Sequence, residues 1–277
     1  MDVSLGNVPR NLAAMLGHLR EARQQGAELT IFPECALTGY CFRDLSEALP
    51  FAQPIPGPAT DAFSVTLREI GGAAILGMIE PTAHGIFNVA VLVTGEGVRA
   101  TYRKIHLPHL GLDQFSTYGP EPFAVHSLNG LNVGMSICYD SAFPESIRTL
   151  SLLGADLIAL PTNFPTGAEG MTEHVLRTRA LENAVYFAAS NRVGEERGFR
   201  FIGGSQIIDP SGKVLAKAGE SEVTILYADI DAARARSKRV VRSPGKHAID
   251  RHADRRPEMY SLLTQPHDLR RPRDETQ

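Results

Sequence analysis

The chain has 277 residues, 43% of them hydrophobic and 21% charged, with 25 Gly, 18 Pro and a net charge of −3. A chain of this size and apolar share buries about three quarters of its unfolded surface, which excludes disordered and fibrous classes. The longest apolar runs, 88–93 and 157–160, fall far short of the ~20 residues of a membrane span. Asp2, Arg10, Arg20, Glu21 and Arg23 interrupt the N-terminal stretch, so no secretory leader is expected there. Three cysteines, Cys35, Cys41 and Cys138, leave at least one thiol unpaired. The expectation is a soluble cytoplasmic protein that does not insert in a membrane. Residues 234–277 hold twelve basic and six acidic side chains. The acids Asp250, Asp254, Glu258, Asp268, Asp274 and Glu275 break up that basic run, which therefore reads as solvated or subunit-facing, with no nucleic acid as partner.

In chain order, Leu12, Met15, Leu16, Leu19 and Ala22 follow helical spacing over 12–23, and Gly26 closes that helix. A short buried strand over 28–32 stops at Pro33. Residues 61–70 read as a helix ending at Gly71-Gly72, and 73–79 as a strand. Runs over 87–94 and 98–103, joined by Gly95-Glu96-Gly97, read as a hairpin. The stretch 105–123 lacks periodicity and reads as a long functional loop. Beyond it come a strand over 131–137, a helix over 144–153 with Pro in its first turn, a strand over 156–160 and a helix over 171–183. Strands over 185–190, 205–209 and 222–230 follow. Strands alternating with helices indicate a layered α/β fold. One domain over 1–245 is expected, with an extended C-terminal segment over 246–277.

Three reactive side chains each follow a strand: Glu34, Lys104 and Cys138. Sites in α/β sheets form beyond the carboxyl ends of strands, so residues far apart in the chain can meet there. A thiol attacks poorly until a base takes its proton, and a carboxylate beside it can do so. An ammonium nearby offsets the negative charge and can stabilise an oxyanion, with the backbone N–H of Tyr139 as a second donor. Such a set suits acyl transfer from an amide or nitrile carbon without metal or cofactor. Each residue alone also fits an ordinary structural role.

Their neighbours narrow the reading. Ile31-Phe32-Pro33-Glu34 with Leu37-Thr38-Gly39-Tyr40, Tyr102-Arg103-Lys104-Ile105-His106-Leu107-Pro108, and Gly134-Met135-Ser136-Ile137-Cys138-Tyr139-Asp140 resemble the three motifs of the nitrilase, or carbon–nitrogen hydrolase, superfamily. Pro161-Thr162-Asn163 and Ala180-Leu181-Glu182-Asn183 are similar to further family segments, and the likeness runs over about 4–262. The resemblance implies a four-layer α-β-β-α sandwich, paired as a homodimer or higher homo-oligomer. It implies Cys138 as nucleophile, Glu34 as general base and Lys104 as oxyanion-stabilising cation, working through a thioester. The substrate would be a small amide or carbamoyl compound. The alternatives are a nitrilase, an N-acyltransferase or a non-catalytic binding subunit.

Three departures stand out. Family members begin with a strand before the first helix, and Met1-Asp2-Val3 is too short to supply it, so a truncated start is expected. Asp113 stands nearest the place of a second family glutamate, one methylene shorter. Ala142 stands where related dicarboxylate-monoamide hydrolases carry Arg, which argues against a carboxylate clamped there. A zinc site at His106 and His109 is not expected, because Pro108 breaks the helix that would align them. A His174 partner for Cys138 is less favoured than a structural histidine, and Gly71-Gly72 lacks the rest of a phosphate loop.

Overall fold

The computed structural model describes residues 1–275. Helix α1 (Val8–Gln24) opens at Asn7, whose side chain accepts from the Arg10 N–H, with Pro9 in the first turn. It starts a turn ahead of the apolar pattern because cap and proline, which carry no apolar signal, define its start. Asn11, Met15, Leu19 and Ala22 form its buried stripe.

The first sheet holds β1 (Leu29–Ile31), β2 (Ala73–Thr82), β3 (Gly85–Thr94) and β4 (Gly97–Arg103), in that order across it. Helix α2 (Pro58–Ile70) crosses from β1 to β2 and ends at Gly71 with φ 77°. Strand β1 runs parallel to β2, while β2, β3 and β4 are successively antiparallel. Two reversals return β4 to the direction of β1, so the chain leaves both edge strands at one end of the sheet.

The second sheet contains β5 (Val125–Leu128), β6 (Leu131–Met135), β7 (Leu157–Thr162), β8 (Tyr186–Asn191), β9 (Gln206–Ile208) and β10 (Val214–Lys217), ordered β10-β9-β8-β7-β6-β5. Strands β6, β7 and β8 are parallel, joined by α3 (Pro144–Leu152) and α4 (Leu176–Asn183). Strand β5 is absent from the sequence reading, although Asn129-Gly130, at φ 49° and 82°, is the turn chemistry that a two-residue hairpin needs. The single helix expected over 171–183 is divided. Its first turn, Met171–Val175, is a π-helix, where the Gln206 side chain donates to the Thr172 carbonyl at 2.5 Å.

Strand alternation builds the layers. Ala74, Leu76 and Met78 of β2 and Val89 and Val91 of β3 pack on Met15, Leu19, Phe63 and Leu67 of α1 and α2. Their neighbours Ile75, Ala90 and Leu92 face Val133, Met135 and Ala159 of the second sheet. Ile158 and Leu160 of β7 pack outward with Ile147, Leu150, Leu176 and Ala180 of α3 and α4. The result is the expected α-β-β-α sandwich.

The strand expected over 222–230 does not form. A strand needs a neighbour to satisfy its backbone groups, and a cleft of about 700 Å³, lined by Glu28–Pro33 on one side, separates Thr224–Ile230 from the free edge of β1. Beyond it, helix α5 (Ala232–Arg236) is fixed by Arg236, which grips the buried Asp156 carboxylate at 2.7 and 3.0 Å. A hairpin of β11 (Arg239–Ser243) and β12 (His247–Asp250) spans residue 245, the end of the domain expected from sequence. Farther on, Arg273 donates to the Ser116 and Gln114 carbonyls at 2.8 and 3.2 Å. No helix among the described residues is long and apolar enough to cross a membrane.

Gly77 of β2 is the point at which the chain after β1 crosses the sheet. A Cβ there would lie 2.2 Å from the Pro33 carbonyl oxygen and 2.7 Å from Glu34 Cα. Gly77→Ala is expected to cost about 3 kcal/mol of stability, read as a lower denaturant midpoint, since backbone has to move. A midpoint unchanged from wild type would show that the crossing has slack.

Candidate active site

The common exit of β1 and β4 places Glu34 and Lys104 side by side. Lys104 Nζ lies 2.7 Å from Glu34 Oε1 and 2.5 Å from Asp113 Oδ2, and all three side chains are fully buried. Asn88 of β3 bridges the carboxylates, its Nδ2 donating to Glu34 Oε1 at 2.7 Å and to Asp113 Oδ1 at 3.0 Å. Its carbonyl accepts the Lys104 N–H at 2.9 Å, which fixes the backbone from which the ammonium projects. The Tyr40 hydroxyl lies 2.9 Å from Asp113 Oδ2.

Asp113 arrives on a short 3-10 turn, Gly111–Gln114, within the loop over 105–123. Gly111, at φ 49°, packs so closely on Tyr40 that a Cβ would lie 2.6 Å from its ring. The Leu112 N–H donates to the Tyr40 carbonyl at 2.8 Å. This docking carries the shorter aspartate side chain to the lysine.

Cys138 follows β6 at the head of the turn Cys138–Ala142, with φ 43°, a left-handed conformation uncommon for a residue with a side chain. Asn163, just past the end of β7, reaches across to the first sheet's side of the site, its Nδ2 donating to the Glu34 carbonyl at 3.0 Å. Arg179 of α4 holds the far end of the turn, donating to the Ser141 and Ala142 carbonyls at 3.0 and 3.1 Å. Glu34 Oε2, Thr162 Oγ1 and Asn163 Oδ1 are buried oxygens with no hydrogen-bond partner among the described residues.

The electrostatics follow from one cation among several acids. Burial raises the Glu34 carboxyl above its ordinary range; Lys104 opposes this and Asp113 adds to it. Burial alone would lower the Lys104 ammonium, but Asp113 and then Glu34 push it well above the usual lysine range. Burial also raises the Cys138 thiol, with Glu34 adding; Lys104, Thr162 and Asn163 act in the other direction. Burial thus favours the protonated forms of the Cys138 thiol and the Glu34 carboxyl, while the two acids favour the charged Lys104 ammonium.

Of the residues singled out from sequence, Glu34, Lys104 and Asp113 are in direct contact, and Cys138 lies within electrostatic reach of Glu34 and Lys104. Tyr139 is 40% exposed, its ring edge-on to Phe143 at 5.1 Å. His174 is exposed on the helix surface and pairs with Glu173 at 3.7 Å. His106 stands against Asp140 at 2.8 Å. The sequence reading missed Tyr40, Asn88 and Asn163 as site residues. Tyr40 and Asn163 sit inside the quoted motifs, whereas Asn88 is disguised in an apolar strand, where a buried amide is the only signal.

The family profile described as carbon–nitrogen hydrolase matches residues 4–240. The chain belongs to this family, on its amidase-like branch, and is a hydrolase of carbon–nitrogen bonds. It is 40% identical over 243 residues to a protein of Pyrococcus abyssi named nitrilase, covering 87% of this chain and 89% of that one. It is 33% identical over 210 residues to an (R)-stereoselective amidase of Pseudomonas sp., covering 75% of each. Among solved structures it is similar to a mutant amidase from Nesterenkonia sp. AN1, at 25% identity and TM-score 0.70, covering 79% of this chain and 84% of that one. That structure carries the acetamide moiety of fluoroacetamide added covalently at the active-site cysteine.

Replacing Lys104 leaves two carboxylates facing each other without a cation. Breaking a buried pair in this way costs about 3–5 kcal/mol. Lys104→Met is expected to show that loss in thermal or denaturant unfolding at neutral pH. Stability equal to wild type would mean that the acids do not depend on the ammonium.

Proposed function

We propose that the protein hydrolyses a small amide or carbamoyl compound through a cysteine thioester, with Cys138 as nucleophile, Glu34 as base and Lys104 as the oxyanion-stabilising cation. The observation that carries this reading is the fully buried contact of Lys104 with Glu34 beside the Cys138 sulfur. Glu34 takes the thiol proton as the sulfur adds to the substrate carbonyl carbon. The oxyanion is met by Lys104 and the Tyr139 N–H. Collapse of the adduct breaks the C–N bond, and Glu34 returns the proton to the departing ammonia or amine. Glu34 then takes a proton from water, which attacks the thioester, and the released sulfur regains it as the acid leaves.

Asp113 supports this cycle by matching the lysine charge. With Asp113 neutralising the ammonium, Glu34 keeps a carboxyl basic enough to accept the thiol proton. We also propose a homodimer or higher homo-oligomer in the cytoplasm. Supporting the association are the exposed apolar side chains Leu152 and Leu153 at α3, Leu181 on α4, and Met259, Leu262 and Leu263 in the tail.

Incubation with a panel of amides, carbamoyl compounds and nitriles, read by product analysis and by mass added at Cys138, tests the chemistry. Cys138→Ala is expected to lose activity by about a thousandfold or more while keeping its fold. Wild-type turnover by that variant would overturn the mechanism, and turnover of nitriles alone would reassign the substrate. The raised carboxyl of Glu34 gives a second check. A base works only when deprotonated, so kcat/KM is expected to fall on the acid side through a value above the ~4.3 of a free glutamate. An acid limb at or below that value would separate the pH dependence from Glu34.

A further inference from the structure

Asp140 is a fully buried carboxylate that the chemistry above does not use. Both of its oxygens are occupied. Oδ2 accepts from the Ile137 N–H at 2.9 Å and the Tyr102 hydroxyl at 2.7 Å. Oδ1 accepts from the His106 N–H at 3.1 Å and faces His106 Nδ1 at 2.8 Å. Ile137 immediately precedes Cys138, and Tyr102 and His106 lie two residues to either side of Lys104. The first sheet delivers Lys104 and the second delivers Cys138, so this one carboxylate fastens two strand ends from different sheets.

The tie is built at the reacting groups. The sheets already adhere through Ile75, Leu92, Val133 and Met135. The His106 ring stacks on Phe143 at 3.9 Å and 14°, while its side chain remains 28% exposed, so its bond to Asp140 is not a requirement of the core. Tyr102 is saturated as well: it donates to Asp140 and its oxygen is 3.4 Å from the Ile105 N–H. Each of these contacts holds a backbone segment within two residues of the sulfur or the ammonium.

We infer that Asp140, with Tyr102 and His106, is a positioning element that sets Lys104 against Cys138 and so governs the rate of thioester formation. The inference rests on the cysteine mechanism proposed above. A displacement of about 1 Å at a reacting pair costs up to about a hundredfold in rate. Such a loss should appear in kcat rather than in substrate affinity, because none of the three side chains need touch the substrate.

The test compares His106→Ala, His106→Asn, Tyr102→Phe and Asp140→Asn with wild type. The readouts are kcat and KM on butyramide, the rate of Cys138 alkylation by iodoacetamide, and the melting temperature. His106→Ala and Tyr102→Phe are expected to lower kcat and the alkylation rate by about tenfold to a hundredfold, with KM little changed. His106→Asn places an amide nitrogen where Nδ1 stood and should recover most of the loss. A tie that only holds the fold would lower the melting temperature while leaving kcat of the folded protein intact. Wild-type kcat and alkylation rates in folded His106→Ala and Tyr102→Phe, or no recovery in His106→Asn, would overturn the inference. If Asp140→Asn does not fold, the other variants carry the comparison, each removing one contact. Should butyramide not turn over, the alkylation rates decide. Cys138→Ala in the same assay separates the two ideas: its activity would sink the mechanism, whereas its inactivity beside unaffected His106 and Tyr102 variants would sink only the positioning role.

Discussion

Lys104 extends its ammonium into a space from which water is excluded and meets two carboxylates there. A charge in that position is tolerated only when paired and hydrogen-bonded, so each group constrains the segments that carry the others. Glu34 has to leave β1 beside the end of β4. Asp113 has to be brought in by a loop that docks on Tyr40. Asn88 has to stand between them with its amide donating to both acids. The requirement reaches beyond charge balance. Burial raises the Glu34 carboxyl above its ordinary range, and the ammonium, shared with Asp113, does not fully offset it. The same arrangement that stabilises the lysine therefore holds a carboxyl of raised proton affinity within electrostatic reach of the thiol.

The sandwich serves this arrangement through strand direction and backbone proximity. Antiparallel steps from β2 to β4 bring the first sheet's two edges out at one end, and the parallel β6 and β7 end toward the same region. Gly77 lets the Glu34 segment pass directly over β2. Asn163 then joins the sheets across the site, contacting the Glu34 backbone from the strand next to that of Cys138. Apolar packing between the sheets supplies most of their adhesion, since its directionless character suits bulk burial. The polar links are few and lie where spacing matters for chemistry.

Family membership and geometry contribute different things to the functional reading. The likeness to proteins named nitrilase and amidase places the chain among carbon–nitrogen hydrolases. The geometry contributes the buried grouping of Glu34, Lys104 and Asp113 on which the proposed chemistry rests. In the cysteine mechanism proposed above, a thiol whose proton burial holds would lose it as it attacks, which would tie the rate to Glu34 and to the spacing of Lys104 from the sulfur.

Much of this was legible in the chain. Near-continuous apolar runs in β2, β3 and β7 marked strands with two covered faces, because successive side chains point to opposite sides of a sheet and both sides are buried here. Glu34, Lys104 and Cys138 were marked by strand ends and by motif neighbours, which are local signals. The strand over 222–230 was misread because its pattern is apolar enough, while a strand exists only if a neighbour completes its ladder. The start of α1 and the hairpin partner β5 escaped because caps and turns, rather than apolar spacing, specify them. Asn88 and the Asp140 tie were invisible for a different reason. A buried amide or acid becomes meaningful only through partners distant in sequence, and folding alone brings those partners within hydrogen-bond reach.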